Sequence, residues 1–167
     1  MRVALFERPY ELPSHLALID TTEGFYVRPA AEHATLVGSR DSLEWLNDSD
    51  TPTPEPDSAF IEGSSRKVGR RIPALAGAPY RSGRSGILDM TPDGRPILGP
   101  AGPEGFFLAV GWSGTGFKKA PAVGAEISRW VTEGGPMRPR LGDYRLTRFE
   151  EGALIRSDHE YAPSAPH

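Results

Sequence analysis

The feature that most constrains the fold of this chain is a junction at residues 105–121, GFFLAVGWSGTGFKKAP. Its first half has the composition of a buried strand, and a run of glycines follows. Beyond the glycines, four apolar residues recur at helical spacing: Val123, Ile127, Trp130 and Val131. They predict an amphipathic helix with one buried stripe that ends before Gly134. The fold must therefore accommodate a glycine-rich turn between a strand and a helix N-terminus.

Such a junction can hold a ligand. The first turn of a helix leaves backbone N–H groups unpaired and carries partial positive charge. Small residues before it allow a ligand to approach the backbone. Lys118 and Lys119 are two of only three lysines in the chain, and cations are unfavourable at this end of a helix. The pattern thus indicates a negative or carbonyl-bearing ligand, and a plain strand-to-helix turn with exposed lysines remains the alternative.

Two well-defined sequence motifs do not match the junction. The dinucleotide fingerprint needs G-x-G-x-x-G, whereas Gly111, Gly114 and Gly116 give the wrong order. The nucleophile elbow needs G-x-S-x-G, but Thr115 stands at the fifth place. A serine hydrolase that uses Ser113 is therefore a disfavoured alternative.

Composition excludes several other classes of protein. A net charge of -3 gives no basic footprint for nucleic acid. The absence of cysteine excludes disulfides, zinc-thiolate sites and thiol catalysis. The four histidines are isolated, so no metal site is predicted. No apolar run approaches the length of a membrane span, and we expect a cytoplasmic protein.

The rest of the sequence contains mostly short strands. Apolar runs predict strands at residues 2–6, 15–19, 86–90 and 97–98, the last ending at Gly99 and Pro100, and a hairpin at 25–38. The acidic, proline-rich segment 47–57 precedes a predicted helix from Ser58 to about Ile72. Because strands outnumber helices and come as neighbours, the predicted class is α+β with a mixed, largely antiparallel sheet.

Three segments together resemble one family. They are FYVRP at 25–29 with Gly38 downstream, TPDGRPILG at 91–99, and GWSGTGFK at 111–118 followed by an alanine, a proline and a glycine. In this order they resemble the C-terminal portion of FAD-dependent amine and amino-acid oxidoreductases. That family includes sarcosine oxidase, dimethylglycine dehydrogenase, glycine oxidase and D-amino-acid dehydrogenase. The resemblance covers roughly residues 2–149.

The resemblance implies a role for the junction. In the family, this helix N-terminus faces the pyrimidine side of the flavin, where its amides stabilise charge that develops on hydride uptake. The matching cofactor-binding positions are Ser113, Gly114, Thr115, Gly116, Phe117 and Lys118. Lys118 also matches the lysine that holds the substrate carboxylate in the sarcosine-oxidase-like branch. Lys119 matches no such role and is expected to face solvent.

The resemblance also points to substrate contacts on the predicted hairpin. Tyr26 and Arg28 lie on a strand that in the family belongs to the substrate-binding sheet, and strand alternation puts both on one face. Tyr26 is the second candidate catalytic residue after Lys118, and Arg28 is a candidate substrate ligand. Proline and glycine in TPDG predict a type I turn at 91–94. The resemblance places residues 93–96 near the flavin edge, and the alternative is that they form only a hairpin turn.

Several positions depart from the family pattern. Gly86 stands where some relatives tether the flavin through cysteine, which implies non-covalent FAD. Leu88 replaces the arginine of glycine-oxidase-like members, and Thr115 stands where histidine is common. No Rossmann fingerprint is present. We therefore expect the C-terminal part of such an enzyme: a substrate-type sheet at 1–90, a flavin-facing segment at 91–150 and a flexible tail at 151–167.

The expected function follows from the resemblance. The chain would be a fragment or subunit of an FAD-dependent oxidoreductase that takes a hydride from a small amine or N-methyl amino acid. With most of the FAD site elsewhere, it would bind FAD poorly alone, and either a separate Rossmann-containing chain or self-association would complete it. The alternative is a non-catalytic remnant that binds another protein.

Overall fold

The computed structural model describes residues 1–39, 55–136 and 138–156. They fall into two compact units, Met1–Ile87 and Leu88–His167. The domain division predicted at residue 90 stays a prediction. Of the segments predicted above, 47–54 and most of the tail lie outside the described residues.

The first unit is built on a five-stranded antiparallel sheet. Its strands are β1 (Arg2–Glu7), β2 (Leu18–Asp20), β3 (Phe25–Ala30), β4 (Ala34–Ser39) and β5 (Tyr80–Ser85). They are arranged in the order β2-β3-β4-β1-β5. The predicted hairpin is confirmed, with Val27 opposite Val37 and Tyr26 opposite Gly38.

One face of this sheet forms the core, and helix α1 (Ser58–Arg71) covers it. Buried apolar side chains alternate along the strands, and Val68 of α1 and Leu75 of the following 3-10 turn complete the cluster. The Asp57 carboxylate accepts the Phe60 N–H at 2.8 Å and caps α1, which explains why the helix begins at Ser58. The opposite face of the sheet carries Tyr26 and Arg28 and has no helix of this unit over it in the described residues.

The second unit has a two-stranded antiparallel sheet, β6 (Ile97–Pro100) and β7 (Phe107–Val110), followed by helix α2 (Gly116–Glu133). Gly134, in the left-handed conformation, ends α2 as predicted. Two short 3-10 helices follow, Pro139–Tyr144 and Leu146–Arg148. Together the two sheets and two long helices confirm the α+β class.

Three predicted elements differ from the structure. The strand predicted at 15–19 begins only at Leu18, as β2. Residues 86–90 do not form a strand, because Asp89 turns to accept amides of the glycine-rich loop, and the strand lies earlier as β5. The stripe on α2 is only half-covered: Val131 remains 55% exposed, whereas Glu126 is buried. A sheet of two strands can cover only a narrow strip of a helix. The apolar face of α2 is therefore wider than the part that β6 and β7 cover within this unit.

Candidate functional site

The glycine-rich loop between β7 and α2 takes an unusual backbone path. Gly111, Ser113 and Gly114 all have positive φ, at 70°, 50° and 77°. A side chain at Gly111 would place its Cβ 2.4 Å from Thr91 Cγ2. Ser113 is one of few non-glycine residues in this region of φ, where L-residues are strained. Backbone in such conformations persists only where the surroundings hold it, and here they do.

Residues 89–91 hold that loop. The Asp89 carboxylate accepts the Gly111 N–H at 2.8 Å and the Trp112 N–H at 3.1 Å, and the Asp89 carbonyl accepts the Ser113 N–H. The Thr91 N–H is donated to Ser113 Oγ at 3.3 Å. These contacts hold the backbone of residues 111–113 in place just before α2 begins. Neither Asp89 nor Thr91 was predicted to do this.

The start of α2 is open. Thr115 is its N-cap residue, but no side-chain oxygen caps the helix, and no acidic residue lies in the first turn. The amides of Gly116 and Phe117 therefore have no intrahelical acceptor. Gly114 and Phe117 are exposed beside them, Phe117 fully. The donors, the partial positive charge and the exposure of Gly114 suit the electron-rich carbonyl edge of a flavin.

The predicted amide donors fall into two groups. The Ser113 and Thr115 amides are used inside the loop, by the carbonyls of Asp89 and Trp112. Those of Gly114, Gly116 and Phe117 lie at the open end of the helix. The structure therefore brings the predicted residues together at one place and divides them into residues that shape the loop and residues that present donors.

The two lysines of the first turn have different environments. Lys118 is exposed. Lys119, which was expected to face solvent, is instead half-buried, and its ammonium donates a hydrogen bond to Thr115 Oγ1 at 3.0 Å. Burial, with the nearby charges of Arg95 and Lys118, lowers the pKa of Lys119. The prediction for Lys119 is wrong because the spacing of four residues places its side chain back over Thr115.

Tyr26 and Arg28 lie in the first unit, on the face of β3 away from the core, as alternation predicts. The Tyr26 ring is half-buried over Gly38, and its hydroxyl is donated to Met1 Sδ at 3.7 Å. Burial raises the pKa of Tyr26. Arg28 is exposed and donates to the Pro29 carbonyl at 3.1 Å. Tyr26 is thus a neutral donor at neutral pH, and Arg28 a solvent-facing cation.

The turn at 91–94 is present, with the Gly94 N–H donated to the Thr91 carbonyl at 3.0 Å. Its Asp93 carboxylate binds Arg148 through two hydrogen bonds and is almost fully buried. Burial works against ionisation of Asp93, but the bonds from Arg148 and from the Ile155 and Arg95 amides outweigh it and hold the pKa below its usual value. Arg148 was missed because no pattern distinguishes it from Arg145, three residues earlier.

Other chemistries have less support in the described residues. Ser113 is buried, and its hydroxyl contacts the Thr91 amide and the Gly111 carbonyl, so it is not presented as a nucleophile. No group of three metal-binding side chains occurs within the described ranges. In the same part of the chain, no helix has both the length and the apolar character to cross a membrane.

Comparison with known proteins gives consistent results. The family model of the FAD dependent oxidoreductases (DAO) matches residues 3–130. The sarcosine oxidase subunit beta of Rhizobium meliloti is 37% identical over 97 residues, which are 58% of this chain and 23% of that protein. The human mitochondrial sarcosine dehydrogenase is 35% identical over 81 residues, or 47% of this chain and 9% of that protein. The aligned part thus spans about a quarter or less of these relatives.

Two solved structures share the fold. L-proline dehydrogenase from P. horikoshii superposes with a TM-score of 0.76 at 25% identity, covering 92% of this chain and 40% of that one. Glycine oxidase from Geobacillus kaustophilus gives a TM-score of 0.69 at 23% identity, covering 88% and 38%. The match to the family model includes β1–β5, the turn at 91–94, the glycine-rich loop and most of α2. The chain belongs to the DAO family of FAD-dependent oxidoreductases.

Proposed function

We propose that this chain is the substrate-sheet and flavin-facing part of an FAD-dependent oxidoreductase that oxidises a small amine or an N-methyl amino acid. The observation that carries the proposal is the open start of α2. Its amides lack a side-chain cap, a strained loop of small residues exposes them, and Lys118 stands in the first turn. Relatives named as sarcosine-oxidising enzymes support the substrate class.

The residues of the second unit would hold the cofactor non-covalently and orient the substrate. The amides of Gly114, Gly116 and Phe117 would donate to the pyrimidine side of the flavin, where preorganised donors favour negative charge. FAD would accept the hydride that leaves the carbon next to the substrate nitrogen. The exposed ammonium of Lys118 would bind a substrate carboxylate. An unprotonated amine can release hydride directly, so this chain need not supply a base.

The open face of the first unit's sheet would contribute substrate contacts. Tyr26 offers a neutral hydroxyl whose pKa burial keeps high, and Arg28 offers an exposed guanidinium on the same face. The first can donate to a neutral or anionic substrate group at any physiological pH, and the second can attract an anionic one.

The adenine and pyrophosphate groups of FAD need residues that this sequence does not contain, since no G-x-G-x-x-G occurs in it. We propose that a Rossmann unit outside these 167 residues supplies them, and that FAD binds weakly without it. Two relatives named as the beta subunit of sarcosine oxidase are consistent with a protein that works in an assembly of chains.

Amide NMR of the purified chain tests the cofactor proposal. FAD added to ¹⁵N-labelled protein should shift the signals of Gly114, Gly116 and Phe117, while ADP, which lacks the isoalloxazine ring, should not. Phe117→Ala should preserve the fold, because its ring is fully exposed, and should weaken the FAD effect if the ring covers the flavin edge. No FAD-dependent shift within residues 113–118 at millimolar ligand would contradict the proposal.

The non-catalytic alternative is favoured by one observation. The second unit exposes several large apolar side chains, namely Phe106, Val110, Phe117 and Val131. A protein-interaction module that uses them would associate with itself or another chain regardless of flavin. Sedimentation velocity with and without FAD separates the two, because a flavin-binding part should respond to FAD and an interaction module should not.

A further inference from the structure

The side chain of Arg148 is a fully hydrogen-bonded, buried polar group of the second unit. It is 0% exposed, and it binds Asp93 through Nε at 2.8 Å and Nη2 at 2.9 Å. Nη1 donates to the carbonyls of Tyr144 and Arg145, and Nη2 also donates to the Arg95 carbonyl. All five N–H groups of the guanidinium therefore have acceptors.

A buried ion pair contributes little net stability compared with an apolar pair of the same size, because both charges lose their hydration. Separating the two partners is nevertheless costly, because it leaves a buried charge unpaired. What Arg148 fixes is the turn at 91–94. Asp93 Oδ1 also accepts the Arg95 N–H at 3.1 Å and the Thr91 hydroxyl at 3.3 Å, and Asp93 Oδ2 accepts the Ile155 N–H.

The turn at 91–94 contacts the glycine-rich loop through Thr91, whose hydroxyl lies 3.4 Å from Ser113 Oγ. The Thr91 N–H is donated to Ser113 Oγ, and Thr91 Cγ2 occupies the space where Gly111 has no side chain. Ser113 has the strained backbone, with φ of 50°. A contiguous path of close contacts thus leads from Arg148 through Asp93 and Thr91 to the loop.

We propose that Arg148 is a positioning residue: acting through Asp93 and Thr91, it sets the path of residues 111–117. The inference rests on the proposed function for its consequence, because these residues present the donors that would face the flavin. The contacts from Arg148 to the loop exist in the protein without flavin, so their effect on the loop can be measured in flavin-free protein.

The test compares two arginines of the same segment. Arg148→Lys keeps the charge but cannot bind Asp93 through two parallel bonds. Arg145→Lys is the matched control, because Arg145 also makes a two-bonded pair, with Glu151, but at the surface. Hydrogen exchange of the hydrogen-bonded Ser113 and Thr115 amides reports opening of the loop. The Ala101 amide, bonded to the Phe106 carbonyl at 3.1 Å, reports general loosening of the unit.

In Arg148→Lys we expect Ser113 and Thr115 to exchange at least about tenfold faster relative to Ala101, and the Gly114, Gly116 and Phe117 signals to move. In Arg145→Lys the exchange rates should stay within about twofold of those of the unaltered chain, and the Gly114, Gly116 and Phe117 signals should not move. Equal acceleration at Ala101 and in the loop would show a merely structural residue and would overturn the proposal, as would an unchanged loop. These experiments contain no flavin, so a failure of FAD to bind would count against the proposed function alone.

If Arg148→Lys does not fold, Thr91→Val decides. It keeps the branched shape against Gly111 and leaves the buried charges in place. It removes the hydroxyl that bonds Asp93 and the Arg95 carbonyl on one side and lies 3.4 Å from Ser113 Oγ on the other, which is the link between the turn and the loop. Faster exchange confined to Ser113 and Thr115 supports the path, and exchange like that of the unaltered chain overturns it.

Discussion

The ring of Tyr26 lies over Gly38 so closely that a Cβ at Gly38 would stand 2.2 Å from Tyr26 Cζ and 2.4 Å from its hydroxyl oxygen. The two residues face each other across β3 and β4. Because Gly38 has no side chain, the Tyr26 ring can lie over it in this orientation. This is how a flat, half-buried tyrosine comes to lie on the otherwise open face of the sheet.

Gly38→Ala should displace the Tyr26 ring toward solvent. Because burial is what raises the pKa of Tyr26, the pKa should fall toward the ordinary value of about 10. A group whose folded pKa is raised adds stability below the unfolded pKa and loses it as pH rises through the folded one, so this alkaline loss should shrink in Gly38→Ala. Absorbance titration at 295 nm measures the change, with Tyr26→Phe to assign the signal. An unaltered titration would show that the ring does not depend on Gly38.

Asp93 should contribute to the dependence of the second unit's unfolding free energy on pH in the acid range. Its pKa is lower when folded than when unfolded, so its ionised form adds stability above pH about 4. That stability is lost as pH falls through the folded-state pKa. Asp93→Asn should be less stable than the parent at neutral pH and should lose less on acidification below pH 4. Urea unfolding in a Trp45→Phe background follows Trp112 and Trp130 of the second unit, with exposed Asp143→Asn as the control. Parallel pH curves for parent and Asp93→Asn would contradict the expectation.

The two arginine pairs of the C-terminal segment should differ sharply when one partner is removed. Arg148→Met leaves the Asp93 carboxylate buried and unpaired, which typically costs about 3–5 kcal/mol. Arg145→Met breaks an exposed pair and should cost less than about 1 kcal/mol. The double variant Asp93→Leu/Arg148→Met should recover part of the loss, because it removes both charges but also removes the acceptor of the Arg95 and Ile155 amides. Chemical denaturation of the three variants tests this, and a double variant as unstable as the single one would refute it.

How far the sequence could predict this structure depends on how local each signal is. The hairpin, the turn at 91–94 and the end of α2 at Gly134 were predicted, because alternation, proline and glycine act over a few residues. The helix start at Ser58 was predicted for the same reason, with the cap one residue before it. The open start of α2 followed from the order strand, glycines, helix.

The contacts that hold the site were not predictable, because they join residues far apart in sequence. Asp89 and Gly111 are 22 residues apart, and Asp93 and Arg148 are 55 apart. In the letters RLTRF, Arg145 and Arg148 are equivalent, and only packing buries one and exposes the other. The strand predicted at 86–90 was wrong for a related reason: Asp89 bonds to the loop instead of continuing a ladder. Alternation showed that Tyr26 and Arg28 share a face, but it could not show that Gly38 makes room for the ring.

Two glycines of the second unit should respond in opposite directions to alanine. Gly99 has φ of 110°, and a Cβ there would lie 2.5 Å from Trp130 Cη2, so Gly99→Ala should destabilise by about 1–3 kcal/mol. Gly124 lies inside α2 with open space around it, so Gly124→Ala should stabilise by about 0.5–1 kcal/mol. Urea unfolding followed by tryptophan fluorescence measures both. Equal effects of the two substitutions would show that the packing of Trp130 on Gly99 is not what limits this position.

Lys118 and Lys119 provide the closest matched pair for the proposed function. Removing the exposed Lys118 ammonium should weaken binding of an amino-acid carboxylate, and loss of one charge-assisted hydrogen bond costs about 1.5–3 kcal/mol, or roughly 10- to 150-fold. Lys118→Met in the complete flavoprotein should therefore raise KM for a carboxylate-bearing amine by that factor. The KM for an amine that lacks a carboxylate should be nearly unaffected. Lys119→Met removes the bond to Thr115 Oγ1 and should change stability rather than discriminate between these substrates. If Lys119→Met produced the carboxylate-specific KM effect and Lys118→Met did not, the anion-binding role would belong to the half-buried ammonium.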